Sequence, residues 1–259
     1  MSNTLTGLER FAALIPETML DVPGHAFYTG EEGFTGNRPL YLLGLNPGGD
    51  GSETVRQQFQ NLKAARRAYS AYVTHTWKPA ARIDHNVLHL LRKLSLKPTE
   101  VPASCLVFSR THAESDIAKE FGRLARLCWP FHEAVIRTLG VQVVVCFGKS
   151  TGEFVRRQYG AHHEIDHFVE RNNRGWRSTT HLSSGGLKVV TVTHPSRADW
   201  RNPLADVSPL VARALEDGQN PRRFTSTVNH VASPVGSRSC PPVASIGSSA
   251  VTFQTTRGK

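Results

Sequence analysis

Cysteine is scarce in this chain and never clustered. The four cysteines, Cys105, Cys128, Cys146 and Cys240, include no C-x-x-C pair, which argues against a zinc ribbon and against a disulfide framework. Cys105 and Cys146 stand in apolar runs, where a thiol ordinarily behaves as a small buried hydrophobe. Long apolar runs are missing as well. No stretch approaches the roughly 18–20 residues that a membrane-spanning helix needs. Met1–Arg10 has no basic cluster leading into an apolar run, so no secretory leader is predicted. The expected location is the cytoplasm, or the nucleoid of a bacterium. No P-loop, G-x-G-x-x-G or G-x-S-x-G signature occurs, which removes the usual phosphate and nucleophile-elbow motifs.

Acidic residues stop at Asp217. Beyond it stand Arg222, Arg223, Arg238, Arg257 and Lys259, so the tail carries +5 of a net +10. Residues 218–259 are rich in Ser, Pro, Gly, Thr and Val and show no period, which predicts a disordered basic tail behind a domain of residues 1–217. A basic balance favours polyanionic partners through counterion release. Charge alone assigns no partner, because many basic proteins bind no nucleic acid.

Within the domain, four short apolar runs predict buried strands: Pro39–Leu45, Ser104–Phe108, Val141–Phe147 and Lys188–Thr193. Helical patterns fall between and after them, over Val55–Val73, Asp84–Leu94, Ser115–Leu139 (broken near Pro130), Thr151–Tyr159 and Val207–Glu216. Strand, helix and strand in alternation predict an α/β fold with three α/β/α layers around a four-stranded, mostly parallel sheet. In such sheets ligands bind at the carboxyl ends of strands. Residues 161–187 are polar and read as a long loop with room for a short hairpin. Their histidines, His162, His163, His167 and His181, fit no standard ligand spacing, so no metal is predicted.

Two turns carry the chemistry. The first is Gly44-Leu45-Asn46-Pro47-Gly48-Gly49-Asp50, at the end of the first predicted strand. Its glycines let backbone approach a ligand closely, and Pro47 biases Asn46 toward an extended shape. The second is Thr193-His194-Pro195-Ser196, directly after the fourth strand and followed by Arg197-Ala198-Asp199-Trp200-Arg201-Asn202-Pro203. An imidazole held by a proline turn can donate a hydrogen bond to an oxygen that gains charge. Taken singly, each is also a serviceable strand-exit turn.

Taken together, the pair resembles the two signature motifs of the uracil-DNA glycosylase superfamily, closest to its mismatch-specific and single-strand-selective branches. Order, strand-end position and a separation of about 150 residues all agree, and the resemblance covers roughly residues 39–216. It implies a monofunctional enzyme of base excision repair. Such an enzyme flips a damaged base out of DNA and hydrolyses its N-glycosidic bond. Asn46 would position the attacking water and His194 would stabilise the departing base. Gly44, Leu45, Pro47, Gly48, Phe59 and Ser109 would line the base site, with Tyr69 and Tyr72 as further stacking candidates. Ser196 would grip phosphate, and Arg197, Trp200 and Arg201 would form the loop that probes the duplex, with Trp200 or Arg197 as the wedge. Phe59 and Trp200 also fit plain core positions. No cofactor is implied: the cysteine spacing does not match the iron–sulfur members of the superfamily. The implied partner is DNA, the implied state a monomer, and no membrane is involved.

The departure lies after the second strand, where the resemblance leads to an asparagine that reads the base. Here the run is Val107-Phe108-Ser109-Arg110-Thr111-His112, with Ser109 at or beside that position and Arg110 or His112 as substitutes. A serine makes one hydrogen bond where an amide makes two. Two other readings therefore stay open: a DNA-binding relative that does not cut, and an α/β enzyme acting on a free nucleotide.

Overall fold

The computed structural model describes residues 7–49, 51–64, 67–76 and 81–216. The chain divides into two units, Met1–Pro221 and Arg222–Lys259. The second unit lies outside the described residues, as does the tail expected over 218–259.

In chain order the elements are α1 (Gly7–Ala12), α2 (Glu17–Leu20), a 3₁₀ turn (Glu31–Phe34), β1 (Leu40–Gly44), α3 (Val55–Ala64), α4 (Ala71–Thr74), α5 (Arg82–Lys93), β2 (Ala103–Cys105), α6 (Glu114–Ile117), α7 (Phe121–Thr138), β3 (Val143–Phe147), α8 (Lys149–Tyr159), β4 (His163–Val169), β5 (Arg177–Leu182), β6 (Lys188–Val192) and α9 (Ser208–Glu216). The strands form one sheet in the order β2-β1-β3-β6-β5-β4. β2, β1, β3 and β6 run parallel, while β5 is antiparallel to β6 and β4 to β5.

β1 and β3 read Leu-Tyr-Leu-Leu-Gly and Val-Val-Val-Cys-Phe, and every residue in both is buried. That pattern requires cover on both faces. Alternation supplies it. Tyr41, Leu43, Val144, Cys146 and Val189 join one core with Leu8, Phe11, Phe131, Val135 and Val155, from α1, α7 and α8. Leu40, Leu42, Val143, Val145 and Val190 join the other with Val87, Leu90, Leu210 and Val211, from α5 and α9. The layers are therefore α/β/α.

Three expectations are corrected. The four predicted strands are all present, but the sheet is six-stranded and mixed. The segment 161–187 holds the β4–β5 hairpin that extends it. β4 is an edge strand with no fully buried residue, so its side chains never show the apolar alternation that marks a strand in sequence. The helix expected over Val55–Val73 is interrupted, because Ser70 bridges to Thr29 and α4 restarts after it. The break expected near Pro130 does not occur, and α7 runs through it. A mid-helix proline costs about 3 kcal/mol. Cys128, Phe131, His132 and Val135 on the same helix are all fully buried, and a large side chain gains roughly 1.5–3 kcal/mol on burial. Among the described residues, no helix is long and apolar enough to cross a membrane.

Candidate functional site at the carboxyl edge of the sheet

Past β1 the chain stays laddered to the segment that follows β2. Leu106 donates its N–H to Gly44 O (2.9 Å), Val107 to Leu45 O (2.9 Å) and Thr111 to Pro47 O (3.1 Å). Gly44 fits closely there: a Cβ on it would stand 3.1 Å from Cys105 Sγ, so the thiol would have to give by a few tenths of an ångström. Leu45 packs against the core, Pro47 is buried and Gly48 is exposed.

The Asn46 amide is oriented by its neighbours. Nδ2 donates to Thr111 Oγ1 (2.8 Å), Pro47 O (3.1 Å) and Ser109 O (3.3 Å). Two of those are carbonyls, which only accept, and Thr111 sends its own hydroxyl hydrogen to Ala113 O (3.0 Å). All three neighbours therefore demand the NH₂ group. Oδ1, an acceptor, is left for whatever approaches the loop. Ser109 thus meets Asn46 through its backbone carbonyl.

Arg110 staples the same loop. Its Nη1 donates to Gly48 O, and its guanidinium lies 3.2 Å from where a Cβ on Gly51 would stand. His25 Nε2 is 3.1 Å from Arg110 Nη2 and 2.9 Å from Glu53 Oε2. The carboxylate calls for a hydrogen on Nε2 and the guanidinium for a lone pair there, so Nε2 serves only one of the two at a time. Desolvation first, and then the Arg110 charge, hold the His25 pKa below its ordinary value against the pull of Glu53.

The second motif leaves β6 in a tight turn, with the N–H groups of Arg197 and Ala198 both donating to His194 O (2.9 and 3.2 Å). His194 Nδ1 accepts from the Ser196 N–H (3.2 Å) and lies 2.7 Å from Ser196 Oγ. A backbone N–H only donates, so Nδ1 carries the lone pair and the neutral ring bears its hydrogen on Nε2. The imidazole is thereby set as a donor at Nε2.

Asn86, fully buried on α5, holds the rest of this turn. Its Nδ2 donates to Pro195 O (2.7 Å) and Ala198 O (2.8 Å), and its Oδ1 accepts from Trp200 N (3.1 Å). Trp200 is the loop's anchor. Its side chain is fully buried, edge-on to Phe147 with ring centroids 5.7 Å apart. This corrects the expectation of a wedge, since a ring locked in the core by its own backbone bond cannot reach a base step. Ser196 and Arg197 are exposed, while Arg201 is bound to Asp199 (2.8 and 3.2 Å).

The sheet register brings the two turns to one edge. Leu43, Cys146 and Thr191 share a rung, and Asn46 and His194 each lie three residues beyond it. β1 and β6 flank β3, so at about 4.8 Å per strand the two chains leave the sheet roughly 10 Å apart. Gly148 sits between them at the start of α8, with φ +95°, and a Cβ on it would stand 3.8 Å from His194 Cδ2. The α8 N-terminus therefore adds its positive end to the His194 side of the edge.

Other predicted residues lie elsewhere or serve the core. Phe59 packs on Phe27 (5.8 Å) with Lys63 over its ring, which places it on the apolar face of α3 rather than on a base. Tyr69 also packs against the core, and Tyr72 is buried. Tyr72 stacks on Tyr28 (5.8 Å), and Tyr28 lies near Cys105, whose partner on β1 is Gly44. Tyr28 is thus an aromatic near the base of the Asn46 loop that no motif indicated. Asn86 was legible in principle, as a lone amide on the apolar face Val87–Leu90–Leu91. Burial holds the thiols of Cys105 and Cys128 up at about 12 and about 11, too high for nucleophiles. Among the described residues, no group of three or more His, Cys, Asp or Glu is placed to hold a metal.

A separate cavity of about 430 Å³, lined by Glu133, Arg137, Gln142, Tyr159 and Leu187, opens before β3 and β6. It lies at the amino ends of those strands, away from Asn46 and His194. No family model matches this chain, and no curated protein matches it.

Proposed function

We propose that this chain is a monofunctional DNA glycosylase of the kind its two motifs resemble, hydrolysing the N-glycosidic bond of uracil or a related damaged base in DNA. One observation carries the reading. On a single sheet edge, an amide is locked with its acceptor outward from its partners, and an imidazole is locked with its donor at Nε2. Asn46 Oδ1 orients a water, whose oxygen attacks C1′ of the flipped nucleotide. The C1′–N bond breaks, and its electron pair leaves with the base. The charge that grows on the base oxygen is met by the His194 Nε2–H and by the positive end of α8. The water's surplus proton passes to solvent. An amide is a feeble base, but it needs only to place the water if the sugar departs as an oxocarbenium-like ion.

Single- and double-stranded oligonucleotides carrying uracil, hypoxanthine, xanthine or hydroxymethyluracil, treated with alkali after incubation, test this. Strand breaks are expected at one or more of these bases, and Asn46→Ala and His194→Ala should each abolish them. Breaks that survive both substitutions would refute the assignment.

One feature favours a second reading, a protein that binds DNA without cutting it. Where an amide would read the base, Ser109 offers a hydroxyl, and its carbonyl is already committed to Asn46. Tight, salt-sensitive binding with no alkali-labile sites would select that reading.

A further inference from the structure

The β4–β5 hairpin ends beside the His194 turn and is tied to it at two points. Arg174 Nη1 donates to Arg197 O (2.5 Å), and the Arg171 N–H donates to Leu204 O (2.8 Å). The Arg174 guanidinium lies over the Trp176 ring, 4.7 Å from its centroid, so it is held at both its tip and its face. Asn172 closes the turn, accepting from the Arg174 N–H (2.9 Å) and donating to the buried Glu170 (2.8 Å). This is a rigid tip.

Little of its charge is compensated. Glu170, buried within the tip, accepts from Asn172, and other carboxylates of the domain are each spent on another group: Asp199 on Arg201, Glu164 on Arg177, Asp166 on Arg213 and Asp206 on His89. Arg171, Arg174 and Arg197 are exposed and have no carboxylate partner among the described residues. Surfaces normally intersperse charges of both signs. Here three exposed arginines share one ridge, since the tip that carries Arg171 and Arg174 is bonded to the loop that carries Arg197.

We propose that this ridge binds the phosphodiester backbone of the DNA strand that flanks the site. The guanidinium fork matches phosphate bidentately, and arginines strung along a ridge suit a repeating anion better than a single small one. The choice of DNA as the polyanion rests on the nucleobase reading of the Asn46–His194 edge; the ridge itself rests on charge and geometry.

The test is fluorescence anisotropy of the full chain with a labelled single strand of about 20 nucleotides, read as affinity against salt from about 50 to 200 mM. Each phosphate neutralised on a single strand adds about 0.7 to the slope of log affinity on log salt. Arg171→Ala with Arg174→Ala should therefore lower the slope by about 1.4 and weaken binding at least tenfold at low salt. Arg171→Lys with Arg174→Lys should keep most of the slope. Hydrogen exchange of the unaltered chain, with and without the same strand, should show protection over residues 171–176 and 197–201, which guards against a misfolded variant.

An unchanged slope in the alanine pair, or protection confined to other segments, overturns the ridge. Wild-type binding with no salt dependence overturns it too. The outcomes separate from those of the glycosylase assay. Binding through the ridge without alkali-labile sites sinks the enzyme alone, and base removal with an unaltered slope in the alanine pair sinks the ridge alone.

Discussion

Asn86 offers the sharpest perturbation. Its side chain is fully buried and makes three hydrogen bonds, two as donor and one as acceptor, all to the backbone of the turn that follows His194. Replacing it with alanine deletes the partner of Pro195 O, Ala198 O and Trp200 N and leaves them buried. A net hydrogen bond is worth about 1 kcal/mol, and an orphaned buried group costs about 1–3 kcal/mol. Asn86→Ala should therefore cost about 3–5 kcal/mol, which for a domain this size means a fall in Tm on the order of 10 °C. Asn86→Asp is the finer probe, because it keeps the shape and inverts the donors. A carboxylate oxygen would then face two carbonyls. At neutral pH it should be at least as damaging as alanine, despite being isosteric. The buried acid would titrate above its ordinary value of about 3.9, so its protonated form is favoured in the fold. The penalty is absent below that pH and grows as pH rises through the folded value, so the deficit should shrink under acid conditions. Urea unfolding of the three proteins at pH 4 and 7 measures this. A loss under about 1 kcal/mol for alanine, or aspartate tolerated as well as asparagine at pH 7, would refute the idea that Asn86 organises the turn.

Two further outcomes follow from burial. Trp200→Ala should cost about 3–5 kcal/mol, as for a core aromatic, whereas an exposed wedge would change stability by under about 0.5 kcal/mol; denaturant midpoints decide between them. His132 is fully buried, its Nδ1 accepting from Tyr41 OH (2.8 Å) and its Nε2 donating to Leu106 O (3.1 Å), and burial pushes its pKa down to about 3. The folded value lies below the unfolded one of about 6.5, so its contribution is complete above about pH 6.5 and is lost as pH falls toward 3, at up to about 1.4 kcal/mol per unit. His132→Gln should lower stability overall but flatten that acid limb, and parallel pH profiles for the two proteins would contradict the assignment.

The parallel strands were legible because burial on both faces leaves a signature in one dimension. Val143–Phe147 has no polar residue to confuse its period, and Leu40–Gly44 only one phenol, which is itself buried against His132. The hairpin was legible only as room for one inside a long polar loop, for the opposite reason. At the outer edge, β4 reads His-Glu-Ile-Asp-His-Phe-Val, a sequence in which ion pairs to Arg177 and Arg213 stand where a core would be. Nothing local distinguishes that from a polar loop. The pairing comes from β5, and β5 is placed by β6. Pro130 shows the same limit: a local rule predicts a break, and the distant packing of Phe131 and His132 overrides it.

The site divides along a similar line. A turn that orients a side chain through its own neighbours is written in consecutive residues. Ser196 follows His194 at the spacing that sets the ring's tautomer, and Pro47 follows Asn46 at the spacing that extends it. What holds those turns to the sheet comes from far away in the chain. Thr111 is 65 residues from Asn46, and Asn86 is 109 residues from Pro195. Such partners leave only a faint trace, a polar residue where the helix period calls for an apolar one. Trp200 stayed open between wedge and core for the same reason. As a large aromatic in a charged loop it has the composition of a wedge, and only the Asn86 bond to its backbone and the Phe147 ring against its side chain turn it inward. The loop after His194 is therefore rigid and capped by arginines rather than led by a ring. Whatever meets that loop is met first by the exposed Ser196 and Arg197 rather than by an aromatic ring.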